Sequence, residues 1–213
     1  MINRIRRENE SKTYNKKRIL RVMQINGLVY PKSSVHRNHE GTGKVMTLHS
    51  NTRWCSDCFE IKCFNGEEVF VIFVLDTCDR EVIQFIAKTE PILAVDVQSI
   101  MVESVEKRFG ESWASRMVQF LSGGSIYRAA ETRSIASALN LQSCFTMAYS
   151  PESNGMAEAL VKTIKRDYVY TSDCTDPAAV LRMIPSWFGD YNENAPHSAL
   201  GMMSPIEYKT KVS

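Results

Sequence analysis

A continuous apolar run from Val69 to Leu75 constrains the fold of this chain more than any other segment. The Asn65-Gly66 pair just before it is typical of a type I′ hairpin turn, so the run predicts a central strand that follows a hairpin. Arg53 to Cys63 alternates well enough to form the strand before that turn, and Glu81 to Ala87 predicts a third strand. We therefore expect an antiparallel meander of three strands.

Helices and strands alternate after this meander. Apolar residues at helical spacing predict a helix that ends at Gly110; they are Val97, Met101, Val105 and Phe109. Met117 to Leu121 predicts a short strand, Ala129 to Leu139 a helix, and Cys144 to Ala148 a fifth strand. With one more helix, the order β-β-β-α-β-α-β-α predicts an α/β fold, a ribonuclease-H-like mixed five-stranded sheet flanked by helices. Periodicity alone allows other α/β folds.

Length and composition favour one main domain with short appendages, since the chain has 213 residues, 44% of them hydrophobic and 23% charged. It contains no run of about 18 apolar residues, and its N-terminal segment is charged throughout. We therefore expect no membrane span, no secretory signal and a cytoplasmic location. In such a chain the six cysteines are expected to be reduced and mostly buried.

Basic residues concentrate near the N-terminus, where eight lysines and arginines between residues 4 and 21 face only Glu8 and Glu10. This density is typical both of contact with nucleic acid and of a solvated basic helix, and both interpretations stay open. Tyr14 to Ile25 predicts a short helix that ends near Asn26-Gly27. Leu28 to Asn51 lacks periodicity and predicts a linker or an extended arm.

Two carboxylates are candidates for chemistry. Asp57 lies within the first predicted strand, where a charge is costly unless it has a metal, a partner or solvent; an edge-exposed aspartate is the alternative. A helix is predicted after the turn sequence at 150–155 as far as about Tyr170, with Leu160, Val161, Ile164 and Tyr168 on one face. Glu158, Lys162 and Lys165 fall on the opposite face. That face is either a salt-bridged surface or a carboxylate turned to metal ions, with two lysines in line to bind phosphates.

Several motifs occur together in one order and carry a family resemblance. They are Trp54-Cys55-Ser56-Asp57, Leu75-Asp76 with Asp79-Arg80-Glu81, SPESNGMAEALVKTIKRDY at 150–168, and the closing segments 191–193, 196–201 and 204–208. Over Lys17 to Lys209 the chain resembles bacterial insertion-sequence transposases of the two-reading-frame class. In that class the second-frame product (OrfB) has a core similar to retroviral integrase.

The resemblance implies a site and its partners. Asp57 would be the first and Glu158 the last ligand of an Asp, Asp, Glu triad that binds two Mg²⁺ or Mn²⁺ ions, while Lys162, Lys165 and Arg166 would bind DNA. The implied partners are the element ends and target DNA, with a homo-oligomer on the DNA near the nucleoid. We divide the chain into a basic helical segment with a linker (1–52), an integrase-type catalytic core (53–170) and a C-terminal helical extension (171–213).

The second aspartate of the triad does not carry over. The family has a stretch similar to Thr/Ser-Asp-Asn/Arg-Gly-Ser after the fourth strand, whereas this chain has the shorter Ser122-Gly123-Gly124-Ser125, and the family spacing counted back from Glu158 gives Ser122. We expect metal binding to be weakened and the chain to be inactive or nearly so. A non-catalytic DNA-binding protein that inhibits transposition is the alternative.

Nearby acidic residues are not expected to replace the missing ligand, because Glu131 belongs to the next helix and Asp76 and Asp79 to a hairpin turn. Family members carry more helical sequence before the core, so the N-terminus resembles a shortened one, and recognition of specific element ends is not expected.

Three other groups resemble sites but have plainer interpretations. His36-x2-His39 with Cys55-x2-Cys58 has the composition of a zinc site, but two cysteines three apart in a strand point to opposite faces, so no zinc is expected. His197 is expected to pack or cap. Trp187, Phe188 and Tyr191 are expected to form the apolar face of a C-terminal helix.

Overall fold

Five strands form one sheet in the computed structural model, which describes residues 15–29, 47–110, 117–145 and 155–212. They are β1 (Arg53–Lys62), β2 (Glu68–Asp76), β3 (Val82–Lys88), β4 (Val118–Ser122) and β5 (Leu141–Phe145). Their order across the sheet is β3-β2-β1-β4-β5. β1, β2 and β3 pair antiparallel, and β4 and β5 run parallel to β1. The predicted meander and mixed sheet are therefore confirmed.

The helices cover both faces of this sheet, apart from an N-terminal helix, α1 (Lys16–Ile25), which precedes it. The others are α2 (Ala94–Phe109), α3 (Ala130–Ala138), α4 (Gly155–Asp167), α5 (Pro177–Glu193) and α6 (Pro205–Val212). Buried residues of α2 and α3 pack in one apolar cluster, and those of α4 and α5 in the other.

The apolar run in β2 is continuous because both faces of the strand are buried. Val71 and Phe73 belong to the cluster on the α4 and α5 face, while Ile72 and Val74 belong to the cluster on the α2 and α3 face. All four side chains are fully buried. A strand that is covered on both sides cannot alternate apolar with polar residues, so the pattern follows from its position.

The hairpin between β1 and β2 differs from the predicted type I′ turn. Such a turn needs positive φ at both central residues, but in this hairpin only Gly66 has it, at 90°. The Gly66 N–H donates to the Cys63 carbonyl at 3.1 Å, and the Cys63 N–H donates to the Glu67 carbonyl at 2.8 Å. A longer loop forms because its tip is held elsewhere: the Phe64 N–H donates to the Cys174 carbonyl at 2.8 Å.

Other boundaries shift by a few residues. β5 begins at Leu141, three residues earlier than predicted, because Leu141 pairs with Val118 directly after Asn140 turns the chain at φ 57°. Residues 146–148 of the predicted strand lie outside the described residues. α4 ends at Asp167, and a 3₁₀ turn at Val169–Thr171 follows where the pattern predicted helix as far as Tyr170.

The predicted packing of the C-terminal segment is confirmed. Trp187, Phe188 and Tyr191 are buried on α5. The Asn192 side chain accepts from the Val82 N–H at 2.8 Å and donates to the Val82 carbonyl at 2.9 Å, which holds α5 against β3. In the part of the chain that the structure describes, no helix has the length and apolar character needed to cross a membrane.

Buried charges join the turn after β2 to two helices. Arg108 on α2 lies 3.5 Å from Asp79 and 3.2 Å from Glu81, and its side chain is 3% exposed. Lys209 on α6 lies 2.9 Å from Glu81. Asp76 accepts from the backbone N–H groups of Asn51 and Cys78. Burial and the neighbouring charge of Asp79 raise the pKa of Asp76 to about 6.

Replacing Arg108 tests how much this cluster stabilises the fold. Arg108→Ala would leave Asp79 and Glu81 buried without their shared cation, so we expect the free energy of unfolding to fall by about 3–5 kcal/mol. Urea denaturation followed by circular dichroism measures this. Lys107→Ala, at the exposed neighbouring position, is the matched control and should change stability by less than about 0.5 kcal/mol. Equal effects of the two changes would contradict the prediction.

His197 packs as expected, with its ring edge-on to Tyr191 at 4.9 Å between centroids. Burial, aided by the charge of Arg80, lowers its pKa from 6.5 to about 4. Between these two pKa values the folded state binds fewer protons than the unfolded state. The contribution of His197 to the free energy of unfolding is therefore fully present above pH 6.5 and declines as the pH falls towards 4.

The lowered pKa of His197 predicts that the protein loses stability in acid and that His197→Gln reduces this loss. Between pH 7 and pH 4.5 we expect the native chain to lose on the order of 1–2 kcal/mol more stability than His197→Gln, allowing for the partial exposure of the ring. Urea unfolding of both proteins at the two pH values measures the difference. Parallel losses in the two proteins would show that His197 is not responsible.

Candidate active site and nucleic-acid interface

Asp57 lies on an inner strand of the sheet. β1 pairs with β2 on one side, where Asp57 faces Phe73, and with β4 on the other. The carboxylate is half-buried and accepts a hydrogen bond from the N–H of Cys58 at 2.9 Å. β1 is therefore not an edge strand, as the alternative interpretation required, although Asp57 itself lies one residue beyond the last β1–β4 pair.

Glu158 lies in the first turn of α4, on the face of the sheet to which Asp57 points. α4 packs on β1 through Ala157, which is fully buried, and the backbone of Ala157 contacts the Cys55 thiol. Burial raises the pKa of Asp57, and the charge of Glu158 raises it further. The structure thus brings the two predicted carboxylates together from separate elements.

The register at the end of β4 determines which residue lies beside Asp57 on the neighbouring strand. The last residue pair between β1 and β4 is Ser56 with Ser122, so the same register continued by one residue places Gly123 next to Asp57. Ser122 is buried, and strand alternation puts it on the face occupied by Phe120, away from α4. Counting along the sequence gives Ser122 as the missing ligand position, whereas the strand register gives Gly123. Neither residue has a carboxylate.

No other carboxylate in the described ranges takes this place. Asp76 is engaged by backbone N–H groups and Asp79 by Arg108 and Ser50. Glu131 is exposed on α3. Among the described residues there is no group of three or more His, Cys, Asp or Glu that could hold a metal ion. Asp57 and Glu158 supply hard oxygen donors suited to one Mg²⁺, but a two-ion site needs more ligands than they provide.

The basic residues of α4 lie along the same face as Glu158. Lys162 Nζ lies 3.6 Å from Glu158 Oε2, and Lys165 Nζ lies over the Phe59 ring at 5.8 Å from its centroid. Arg166 pairs with Asp167 through two contacts of 2.6 Å, so its charge is locally compensated. The opposite face of the helix is buried, as predicted. The salt-bridged surface and a phosphate-binding face are therefore both compatible with α4.

A buried hydroxyl network was missed by the sequence reasoning. Ser56 Oγ donates to the Phe73 carbonyl at 2.7 Å and lies 2.8 Å from the Tyr127 hydroxyl, which lies 3.7 Å from Cys58 Sγ. The network attaches the segment after β4 to β1 on either side of Asp57. The only sign of this network in the sequence was Tyr127, soon after Gly123-Gly124. No periodic pattern distinguishes this tyrosine from one without a buried partner.

The cysteines lie as predicted. Cys55 packs in the cluster with α4, and Cys58 packs against the cluster on the other face of the sheet. All six cysteines are free, and four of them are buried. His36 and His39 lie outside the described residues.

Comparison with known proteins identifies the family. A family model described as integrase core domain matches residues 139–205. The insertion element IS136 uncharacterized protein of Agrobacterium fabrum is 47% identical over 178 residues, which cover 83% of this chain and 91% of that protein. The putative transposase InsD for insertion element IS2E of Escherichia coli is 44% identical over 199 residues, which cover 91% of this chain and 90% of that protein. The chain belongs to the insertion-element transposases.

Solved structures confirm the fold of this transposase. A simian T-cell lymphotropic virus intasome, in complex with the PP2A regulatory subunit B56 gamma, matches with a TM-score of 0.63 at 14% identity and covers 88% of this chain and 66% of that chain. The Mos1 transposase catalytic domain, solved with raltegravir and Mg, matches with a TM-score of 0.54 at 16% identity. The match covers 76% of this chain and 77% of that chain. The sheet and its helices are therefore ribonuclease-H-like.

The electrostatic coupling of the two carboxylates in this transposase can be measured directly. Because burial raises the pKa of Asp57 most and Glu158 adds to it, Glu158→Gln should lower that pKa without returning it to the ordinary value of 3.8. Carbon-detected carboxyl NMR titration measures the shift. Glu131→Gln, at an exposed site on α3, is the control, and an unchanged Asp57 pKa in Glu158→Gln would show that the carboxylates do not interact.

Proposed function

We propose that this transposase takes part in DNA transposition by binding element ends and target DNA, and that its metal-dependent cleavage and strand transfer are lost or severely weakened. The family supports the first part of the proposal. The observation that carries the second part is the end of β4: neither Ser122, the position given by the family spacing, nor Gly123, which the continued β1–β4 register places beside Asp57, has a carboxylate.

The chemistry explains why one missing ligand matters. When bound, a pair of divalent ions activates the attacking oxygen and stabilises the leaving oxygen at phosphorus. Asp57 and Glu158 suit a single ion, and the ligand on the β4 side is absent. Even several kcal/mol less stabilisation of the transition state lowers the rate by orders of magnitude, about tenfold for each 1.4 kcal/mol.

DNA binding depends on other residues and is part of the same proposal. Lys162 is 76% exposed, and with Lys165 it forms a row on the face of Glu158 that suits consecutive phosphates. Arg166 would add to this row only if its ion pair with Asp167 were broken.

The assembly and the domain division belong to this proposal too: a homo-oligomer on DNA near the nucleoid, and boundaries at residues 52 and 170. The contacts of α5 with β2 and β3, and of α6 with α5 and Glu81, support 171–213 as an extension of the core.

A non-catalytic DNA-binding protein that inhibits transposition is the second candidate. It is favoured by Lys162 and Lys165 of α4, which remain although the family's second aspartate does not. Such a protein would occupy element ends or join multimers of an active transposase. Salt-dependent DNA binding without metal-dependent cutting, together with inhibition of an active transposase of the family, would identify this role.

Restoring the missing carboxylate tests the proposal. We compare the native chain with Gly123→Asp and with a version in which Ser122-Gly123-Gly124 is replaced by the four residues Ser-Asp-Asn-Gly. Nicking of supercoiled DNA and joining of pre-cut ends are measured in Mg²⁺ and in Mn²⁺. We expect no activity from the native chain and a gain of at least about a hundredfold over background in the four-residue version, because a third ligand is regained.

The control removes the last ligand from the rebuilt site. Glu158→Gln in the four-residue version should abolish the regained activity. Metal-dependent activity in the native chain that Glu158→Gln removes would contradict the proposed loss. An inactive rebuilt protein that folds normally would show that more than one ligand has been lost.

A further inference from the structure

A cavity of about 470 Å³ opens near the C-terminal end of α4. It lies between the end of β1, the tip of the β1–β2 hairpin and the 3₁₀ turn that follows α4. Its wall includes the aromatic residues Phe64 and Tyr170 and the basic residues Lys62 and Lys165. No step of the proposed carboxylate chemistry uses this cavity.

The two aromatic side chains are unusually open to solvent. Phe64 is 74% exposed and Tyr170 is 71% exposed. Exposed aromatic rings grouped around a concavity mark a binding surface more often than isolated apolar residues do. The described residues leave the rings uncovered, so they are available for stacking.

Hydrogen bonds hold the backbone under both rings in place. The N–H groups of Phe64 and Asn65 donate to the carbonyls of Cys174 and Thr175 at 2.8 and 3.2 Å. The Thr171 hydroxyl, next to Tyr170, donates to the Asp167 carbonyl at 2.8 Å. The rings therefore stand on a fixed frame, and a flat ligand would lose less conformational entropy on stacking there.

The cavity continues the basic face of α4. Lys165 belongs to its wall and is held over the Phe59 ring. Glu158 and Lys165 are seven residues apart on α4, which is roughly 10 Å along the axis. At about 3.4 Å per nucleotide, this is about three nucleotides of one strand.

The charge around the opening is mixed but favours an anion close to the row of lysines. Glu60 is also in the wall, and Lys62 pairs with Glu68 at 3.3 Å on the surface. Lys165 therefore carries most of the attraction for a phosphate. Aromatic rings beside a lysine, close to a phosphate-binding row, combine the two features that single-stranded nucleic acid recognises.

We propose that this cavity is a stacking subsite for an unpaired nucleobase of a DNA strand whose phosphates follow Lys162 and Lys165. The proposal rests on the proposed function for the identity of the ligand as DNA. An unpaired base is the occupant because its flat face is free to stack on Tyr170 or Phe64, whereas a base in a duplex is stacked on its neighbours. The volume suits one base rather than a helix.

Binding of paired and unpaired DNA separates this subsite from general attraction. We use fluorescence anisotropy of the whole chain with a thymidine oligonucleotide of about 15 nucleotides and a duplex of equal length, over a series of salt concentrations. Tyr170→Ala should weaken binding of the oligonucleotide about 5- to 100-fold, without changing its salt dependence. Its effect on the duplex should be less than about twofold.

Three variants serve as controls. Tyr170→Phe keeps the ring and should bind as the native chain does. Leu93→Ala removes an exposed apolar side chain immediately before α2, 57% exposed, and should have no effect. Lys165→Gln should weaken binding of both ligands and reduce the salt dependence, since it removes a phosphate contact.

Each remaining outcome contradicts a different claim. An unchanged oligonucleotide affinity in Tyr170→Ala, with duplex binding intact, overturns the subsite and leaves the proposed function standing. If Tyr170→Ala instead changes self-association in sedimentation velocity, the cavity is a protein interface and the subsite is wrong. A native chain that binds neither ligand at low salt overturns both the subsite and the proposed DNA binding.

Discussion

The pairing of β1 with β2 on one side and β4 on the other is the constraint on which the rest of the structure depends. It makes β1 an inner strand, and it brings together segments that are more than sixty residues apart in the chain. Alternation along β1 then sends Cys55 and Asp57 towards α4 and Trp54 and Ser56 towards α2 and α3. A shift of one residue in the β1–β4 register would exchange these faces and turn Asp57 away from Glu158.

The same register places polar groups inside the protein, and two sets of them find partners nearby. Ser56 cannot reach water, so it donates to the backbone of β2 and meets the Tyr127 hydroxyl. The charges after β2 are balanced by Arg108 and Lys209 from two different helices. Buried polar groups are costly when unpaired, so these contacts restrict how the helices dock on the sheet. α4, and with it Glu158, is positioned by its own apolar contacts with the core, through Ala157, Leu160 and Ile164.

Most of the fold could be predicted because the strands and helices differ in period and in burial. The continuous run of β2, the alternation of β1 and the helical spacing of α2 each reflect how many of their faces are covered. The prediction of a type I′ turn at Asn65-Gly66 was wrong because the geometry of the hairpin tip depends on Cys174, more than a hundred residues away. Local propensity contains no information about such a distant partner. The Ser56–Tyr127 contact was missed for the same reason.

In the candidate site too, the features that depend on local sequence could be predicted and those that depend on distant partners could not. That Glu158, Lys162 and Lys165 share a face follows from helix geometry alone, but the residue beside Asp57 follows from strand pairing, which counting along the chain does not give. The electrostatics then bear on how two carboxylates can lie near each other in this fold. Burial raises the pKa of Asp57, and the charge of Glu158 adds to this rise; Lys162 is the cation that lies beside Glu158 on the same face. A third carboxylate at the end of β4 would add repulsion that one lysine offsets only in part, and such a cluster needs bound cations to be stable. With glycine at this position, two carboxylates and one lysine lie near the end of β4, and this arrangement carries less repulsion than three carboxylates would.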